Sequence, residues 1–384
     1  MVQYHQPELL IFNCMSEKEY SISSNSVGNQ NHFYWLDSLR FIAAFMVVIS
    51  HSRNDFFMMY SDLPESQHNI FGFLFTLFGR LGHESVIIFF VLSGFLVGGR
   101  GIERISNGTF RIGSYVIDRF SRIYPPLIAS IIFFFITTLF VPDQEWNTWR
   151  ALGNLLNLQG ICCESLVTPY WSLSYEVWFY IVLGALAVCF KTKNIKYFLL
   201  SVIAISVFML GSMSFHYLFV WFVGALAYLT RPKKINKMIL VISSFGIVAG
   251  IGLWQITKDT NAFQLPFNIK NYDLAEMPLT ISISLFIQQI ILIEPKNKIA
   301  ISIDNFFSRM AKFSYSLYLS HRIVLMWVFY YFFTKESATY SMIDLLWYMI
   351  IVLVCLVVCW GQYMVSERYT PAIKNILKKK FNCK

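Results

Sequence analysis

The chain has 384 residues, of which 56% are hydrophobic and only 14% charged, with a mean hydropathy of +0.53. Ordinary soluble domains carry about 25% charged residues, so this composition excludes a soluble globular protein and points to a polytopic membrane protein. The net charge of +9 does not imply a nucleic-acid partner, because a membrane protein collects its basic excess in cytoplasmic loops.

Residues 1–33 are mostly polar, show no cleavable signal peptide and read as a flexible cytoplasmic tail, with Met1 or Met15 as the start. Apolar runs of spanning length follow at roughly 36–54, 70–98, 123–141, 170–190, 196–212, 214–230, 238–255, 276–293, 313–333 and 342–364. They predict an all-α fold: a membrane helix bundle of about ten transmembrane helices over residues 34–366, then a basic tail over 367–384. The basic residues test that count. Arg100, Arg104, Arg111, Arg119 and Arg122 fall on one side with Lys191, Lys193, Lys196, Arg231, Lys233, Lys234, Lys237, Lys296, Lys298, Arg309, Lys312 and the lysines of the tail. The opposite loops hold only Arg53, Arg150, Lys258, Lys270 and Lys335. The positive-inside rule then puts both termini in the cytoplasm. The seven cysteines have no metal or redox spacing, so no metal is expected. Cys189, Cys355 and Cys359 lie in apolar runs as small core residues, and the adjacent Cys162 and Cys163 suit a structural disulfide poorly.

Ionisable groups inside spanning helices are costly and are therefore functional candidates. The first helix, "LDSLRFIAAFMVVISHS", carries Arg40 and His51 eleven positions apart, on one face and separated by about 16 Å along the axis. The alternative is that Arg40 snorkels beside Asp37 and His51 marks the outer interface. The second helix places His83 and Glu84 in its outer half, with Ser93 further in. Arg119 and Arg122, in "DRFSRIYPP", stand at the cytoplasmic start of the third helix, where i, i+3 guanidiniums form a fork suited to phosphate. Their alternative role is topology and anionic-lipid binding. In the fourth helix, "PYWSLSYEVWFY" puts Trp171, Ser172 and Glu176 below the outer surface. His51, His83, Glu84 and Glu176 are thus expected at similar depth, enough for a base with an orienting carboxylate. His321 and Arg322 sit mid-depth in the ninth helix and point to an aqueous interior. The outer loop over 142–169, with Trp146, Trp149 and Asn157, reads either as a sugar-contacting surface or as an interfacial aromatic belt.

Five segments in this order, "LDSLRFIAAFMVVISH", "VIIFFVLSGFLV", "RFSRIYPP", "YWSLSYEVWFY" and "FSYSLYLSH", resemble the acyltransferase 3 family of integral membrane acyltransferases, from about residue 35 to the C-terminus. The resemblance implies transfer of an acyl group, usually acetyl, from acyl-CoA as co-substrate to a hydroxyl of a cell-surface glycan or lipid-linked saccharide. It implies no bound cofactor, and a place in the bacterial inner membrane. It carries the family's essential Arg and His onto Arg40 and His51, its paired arginines onto Arg119 and Arg122, and its Trp-Ser-Leu…Glu motif onto Trp171, Ser172, Leu173 and Glu176. Many members hold an acidic residue where this chain has Ile87, so Glu84, one turn earlier, stands as its substitute. Some members also fuse a hydrolase-like periplasmic domain after the last helix, whereas this chain reads as the stand-alone form.

On this reading Arg40, Arg119 and Arg122 hold the anionic donor. His51 is general base or transient acyl carrier, and Glu176 orients its imidazole. The competing readings are a transporter or flippase for an anionic lipid or glycan, and a glycosyltransferase or polymerase of the same envelope pathway. The sequence leaves open which glycan is acylated, the acyl group and the oligomeric state.

Overall fold

The computed structural model describes residues 33, 35–206, 213–258 and 269–382. Residues 1–32 of the tail expected over 1–33, and the end of the run at 207–212, lie outside the described residues.

Local chemistry starts most of the helices. Helix α1 (Leu36–Phe56) follows Trp35, which turns the chain at φ 66° and donates its indole N–H to Ile293 O at 2.8 Å. Helix α2 (Ile70–Gly79) is capped by Asn69, and α3 (Gly82–Ser93) runs through a π-helical turn at Gly94–Gly99 into α4 (Arg100–Ser106). The run expected as a single helix over 70–98 is therefore interrupted at Arg80 and Leu81.

Helix α5 (Ile112–Phe140) begins about three turns before the expected start. It passes through Pro125 and Pro126, which deprive the carbonyls one turn back of their helical donors without ending the helix. Arg119 and Arg122 are consequently inside this helix rather than ahead of it.

Asn147 caps α6 (Thr148–Leu155), which is followed by α7 (Tyr170–Thr192), α8 (Ile195–Ser206) and α9 (His216–Leu229). Asn236 caps α10 (Lys237–Thr257), and the short α11 (Asn271–Ala275) leads into α12 (Met277–Ile290). Asn297 caps the amphipathic α13 (Lys298–Met310), which precedes α14 (Ser314–Tyr331). A reciprocal Ser341–Asp344 capping box starts α15 (Met342–Val365). The C-terminal residues expected as a tail contain a further helix, α16 (Thr370–Lys380).

Among the described residues, five helical stretches are long and apolar enough to cross a membrane: Ile70–Ser106, Ile112–Phe140, Tyr170–Thr192, Lys237–Thr257 and Met342–Lys380. Their outward faces are apolar. Val241, Phe245 and Val248 of α10, and Leu346, Met349 and Leu353 of α15, are all exposed. In water such faces would aggregate; in a bilayer they meet lipid tails. The chain is an all-α integral membrane protein.

The charged α1 lies inside this apolar frame and packs against α3, α13, α14 and α15. Its Phe41, Val48 and Phe56 join Leu317, Leu325 and Cys355 in one buried cluster. The π-turn is fixed by a backbone crossing. A Cβ on Gly94 would lie 1.9 Å from Trp221 O, and one on Gly224 would lie 2.3 Å from Val91 O. Only hydrogen fits at either position, and the crossing aims Ser93, Leu96 and Val97 at the interior.

Gly94→Ala should therefore push α9 away from α3, at a cost of about 1–3 kcal/mol. The expected result is a lower melting temperature in detergent, read from tryptophan fluorescence, with wild-type stability retained by Gly361→Ala, where the new methyl meets nothing within 4 Å.

Candidate functional site

Four arginines converge at one end of the bundle. Arg100 and Arg104 come from α4, Arg111 and Arg119 from the start of α5, and together with Tyr115 and Asp118 they line a vestibule of about 380 Å³. Asp118 is engaged elsewhere. Its Oδ1 receives Lys374 and Lys378 of α16, each at 3.1 Å, so α16 anchors on the wall of the vestibule and adds further positive charge.

Leu96 and Val97 of the π-turn line both the vestibule and a much smaller cavity of about 80 Å³. Arg40, Arg122, Glu176, Tyr180 and Tyr315 face this inner cavity. Tyr180 donates its hydroxyl to Glu176, one turn earlier on α7, and its oxygen is also 3.3 Å from Ser93 Oγ. The Arg119 guanidinium lies 5.3 Å from the centroid of the same tyrosine ring. Arg40 is tied to Asp37 at 2.7 Å. The Tyr315 hydroxyl is buried and has no hydrogen-bond partner among the described residues.

The inner wall of the cavity leads to a histidine pair. Ser172 Oγ and Tyr318 OH are 2.6 Å apart, and the Tyr318 ring is 6.3 Å from that of His321. His321 in turn meets His51 edge to face, with centroids 5.2 Å apart at 83°. His321 is fully buried. Its Nδ1 donates to Leu317 O at 3.0 Å, which leaves Nε2 as the acceptor nitrogen of a neutral ring. That Nε2 has no partner among the described residues. Arg322 pairs with Asp55, one turn beyond His51.

A second polar cluster stands at the start of α3. Glu276 receives His83 on one carboxylate oxygen and His216 on the other, the latter at 2.9 Å. The His83 ring lies flat on Trp254, 4.2 Å away and 1° from parallel. Glu84 is buried and accepts from Gln255 at 2.5 Å. Among the described residues no group of three or more His, Cys, Asp or Glu could hold a metal ion.

These positions revise several expectations. Glu176 joins Arg40 and Arg122 in the cavity, and the group that faces His51 is His321. His83 and Glu84 start at the level of Ser50, since Gly82 packs directly on that side chain. They turn toward α9, α10 and α12, so they do not complete the His51 site. Ile87 is fully buried and leaves no polar group at its position. The arginine fork is divided, with Arg119 opening on the vestibule and Arg122 on the cavity. Trp171 packs into an aromatic box with Phe90, Tyr175 and Tyr217.

In the outer loop, Trp149 is exposed, but Asn157 is buried, with its carbonyl accepting from Ser174 and Trp178. It supports α7 rather than offering a contact surface. The sequence reading missed Tyr180 and Tyr318, although their spacings from Glu176 and His321 (four and three residues) place them on the same helix faces. No local signal pointed to His216 or Glu276, whose meeting with His83 joins three distant helix starts.

The family model described as "Acyltransferase domain" matches residues 33–364. No curated protein and no solved structure matches the chain.

The Asp55–Arg322 pair generates a stability prediction. Both side chains are mostly buried, at 14% and 22% exposure, so Asp55→Asn strands the guanidinium and should cost up to about 3 kcal/mol. Combining it with Arg322→Met should restore most of the loss, as measured by thermal unfolding of the purified variants.

Proposed function

The chain belongs to the acyltransferase 3 family, a membership that implies a membrane acyltransferase, and from that premise we propose that it moves an acyl group, acetyl being the usual one, from acyl-CoA to a hydroxyl of a cell-surface or lipid-linked glycan. The observation that carries this reading is an arginine-lined vestibule that shares Leu96 and Val97 with a small cavity, whose Tyr318 lies beside the histidine pair. Acyl-CoA is a molecule of the same shape: a phosphate-rich nucleotide on a slim arm that ends in a thioester.

The four vestibule arginines suit the phosphates, since guanidinium binds phosphate in charge-assisted pairs. The cavity behind Leu96 and Val97 is too narrow for a nucleotide, so only the arm passes it. Arg40 and Arg122 line that passage. Their charges are balanced by Asp37 and Glu176, and Tyr180 holds the Glu176 carboxylate in place.

His51 acts as general base. It takes the proton of the acceptor hydroxyl as that oxygen attacks the thioester carbonyl carbon. The carbon–sulfur bond then breaks, and the departing thiolate recovers the proton from His51. His321 supports the step from beside the ring. Its Leu317 hydrogen bond fixes its tautomer and leaves Nε2 as an acceptor nitrogen on the ring that meets His51. We place the vestibule on the cytoplasmic side, to which the positive-inside rule assigns the basic loops, and the far end of α1 on the outer side of a bacterial inner membrane crossed about ten times.

Thioester cleavage decides between a transferase and a transporter. His51→Ala should lower acceptor-dependent release of CoA from labelled acetyl-CoA by about 100-fold or more, because a positioned base contributes that much, while abundance and melting temperature stay near wild type. A wild-type protein that cleaves no thioester with any glycan extract would leave the transporter reading in its place.

Arg104→Gln combined with Arg111→Gln should raise KM for acyl-CoA several-fold with little change in kcat. The wild-type KM should also rise steeply with salt, as expected for phosphate contacts in a solvent-filled vestibule. Steady-state kinetics across ionic strength checks both.

A further inference from the structure

At the opposite end of α1 from the vestibule lies a cavity of about 570 Å³. Ser50, Arg53, Asn54 and Phe57 present one helix face to it, and Arg80 and Lys258 face it from other segments. His51 follows Ser50 directly in the chain. The cavity therefore borders the helical turn that carries the base, with His51 about 100° round the helix from Ser50 and outside the lining itself.

Arg53 is the unusual feature. Its side chain is only 5% exposed. Its hydrogen bonds go to Tyr340 OH at 2.7 Å, Asn54 Oδ1 at 3.0 Å and Thr76 Oγ1 at 3.4 Å. All three partners are neutral, and Arg53 Nε is buried without a partner among the described residues. The nearest carboxylate in sequence, Asp55, is taken by Arg322. A guanidinium removed from water, whose hydrogen-bond partners among the described residues are all neutral, is expensive unless an anion joins it. Among the described lining residues, Glu336 is the one carboxylate, and it is exposed.

The surroundings are built rather than incidental. Tyr340 is stacked on Phe57 at 4.5 Å, within 14° of parallel, and this stacking fixes the hydroxyl that holds Arg53. Lys258 lies over the Trp254 ring at 4.7 Å, and the same ring stacks on His83. Tyr60 and Phe73 add flat apolar surface of the kind that packs on sugar rings.

We propose that this cavity is the acceptor subsite, and that Arg53, with Arg80 and Lys258 beside it, selects a saccharide that carries an anionic group, carboxylate or phosphate. The proposal rests on the acyltransferase reading for the meaning of "acceptor". Its content, an anion-selective saccharide site next to His51, can be tested without that reading. A phospholipid headgroup offers similar charge, but Arg53 is enclosed by Tyr340 and Thr76 rather than set on the lipid-facing exterior, which favours the saccharide.

The test uses the full chain in phosphatidylcholine nanodiscs and two matched probe pairs: trigalacturonic acid against its methyl ester, and maltotriose with and without a 6-phosphate. Calorimetric Kd values should favour the charged member of at least one pair by about tenfold or more, as expected for charge-assisted contacts to a guanidinium. The preference should fall between about 50 mM and about 200 mM salt. Arg53→Gln should abolish the preference. Lys258→Gln and Arg80→Gln, at less buried positions, should each reduce it several-fold and keep the test valid if the first variant fails to fold.

Equal binding within both pairs would overturn the proposal. So would loss of the preference when phosphatidylglycerol is added to the discs, which would assign the site to a lipid headgroup. Acetyl-CoA cleavage by the same wild-type preparation is read separately. Its absence counts against the transferase reading and leaves the anion result standing. Cleavage without any charge preference does the reverse.

Discussion

The cost of placing charge in hydrocarbon governs this molecule. Helix α1 carries Arg40, His51, Arg53 and Asp55 along a single span-length helix, and a helix so charged cannot face lipid. It must lie among other helices, and its charged side chains meet polar groups there or on α1 itself. Asp37 meets Arg40, His321 faces His51, Tyr340 and Asn54 hold Arg53, and Arg322 meets Asp55. Helices α3, α13, α14 and α15 are gathered around α1 as a result, and the more uniformly apolar α10 and α15 turn their outer faces to the bilayer.

The same constraint divides the polar residues along the bundle. Burying them is least costly in small groups whose members meet one another, and three such groups occur among the described residues. The first surrounds Glu176 and Tyr180. The second is the His51–His321 pair. The third joins His83, His216 and Glu276. Tyr318 connects the first to the second through Ser172 and His321. Trp254, stacked on His83 and capped by Lys258, connects the third to the far cavity. On the proposed path from vestibule to far cavity, aromatic rings thus stand at both of these links.

Backbone proximity shapes the narrow part of this path. The crossing at Gly94 and Gly224 brings α3 and α9 closer than any side chain permits, and the π-helical turn that follows swings Leu96 and Val97 into the channel. A regular α-helix would register those residues differently by the extra residue the wider turn contains. The placing of Leu96 and Val97 between the larger and the smaller cavity therefore depends on a local irregularity in one helix.

Much of this was legible in the sequence, because it depends on local composition. Long apolar runs define helices wherever they occur. Asparagine and serine caps set several of their starts, and the arginine–histidine spacing in α1 guarantees a shared face at about 100° per residue. Family membership was legible in the order of five short segments. What remained hidden was partnership. A carboxylate at position 176 can face any neighbouring helix, and only the rotation of α7 against its neighbours brings it to Arg40 and Arg122 while leaving His51 to His321. The division of Arg119 from Arg122 shows only in three dimensions, where Arg119 lies over the Tyr180 ring of another helix and lines the vestibule while Arg122 lines the cavity. His216 and Glu276 look unremarkable in the sequence because each lies at the start of its own helix, with nothing nearby to mark it. Helix existence is decided within a few turns of chain, whereas the pairing of buried charges is decided by residues as distant as the 267 positions between Asp55 and Arg322, and only close packing in three dimensions selects among the possible partners.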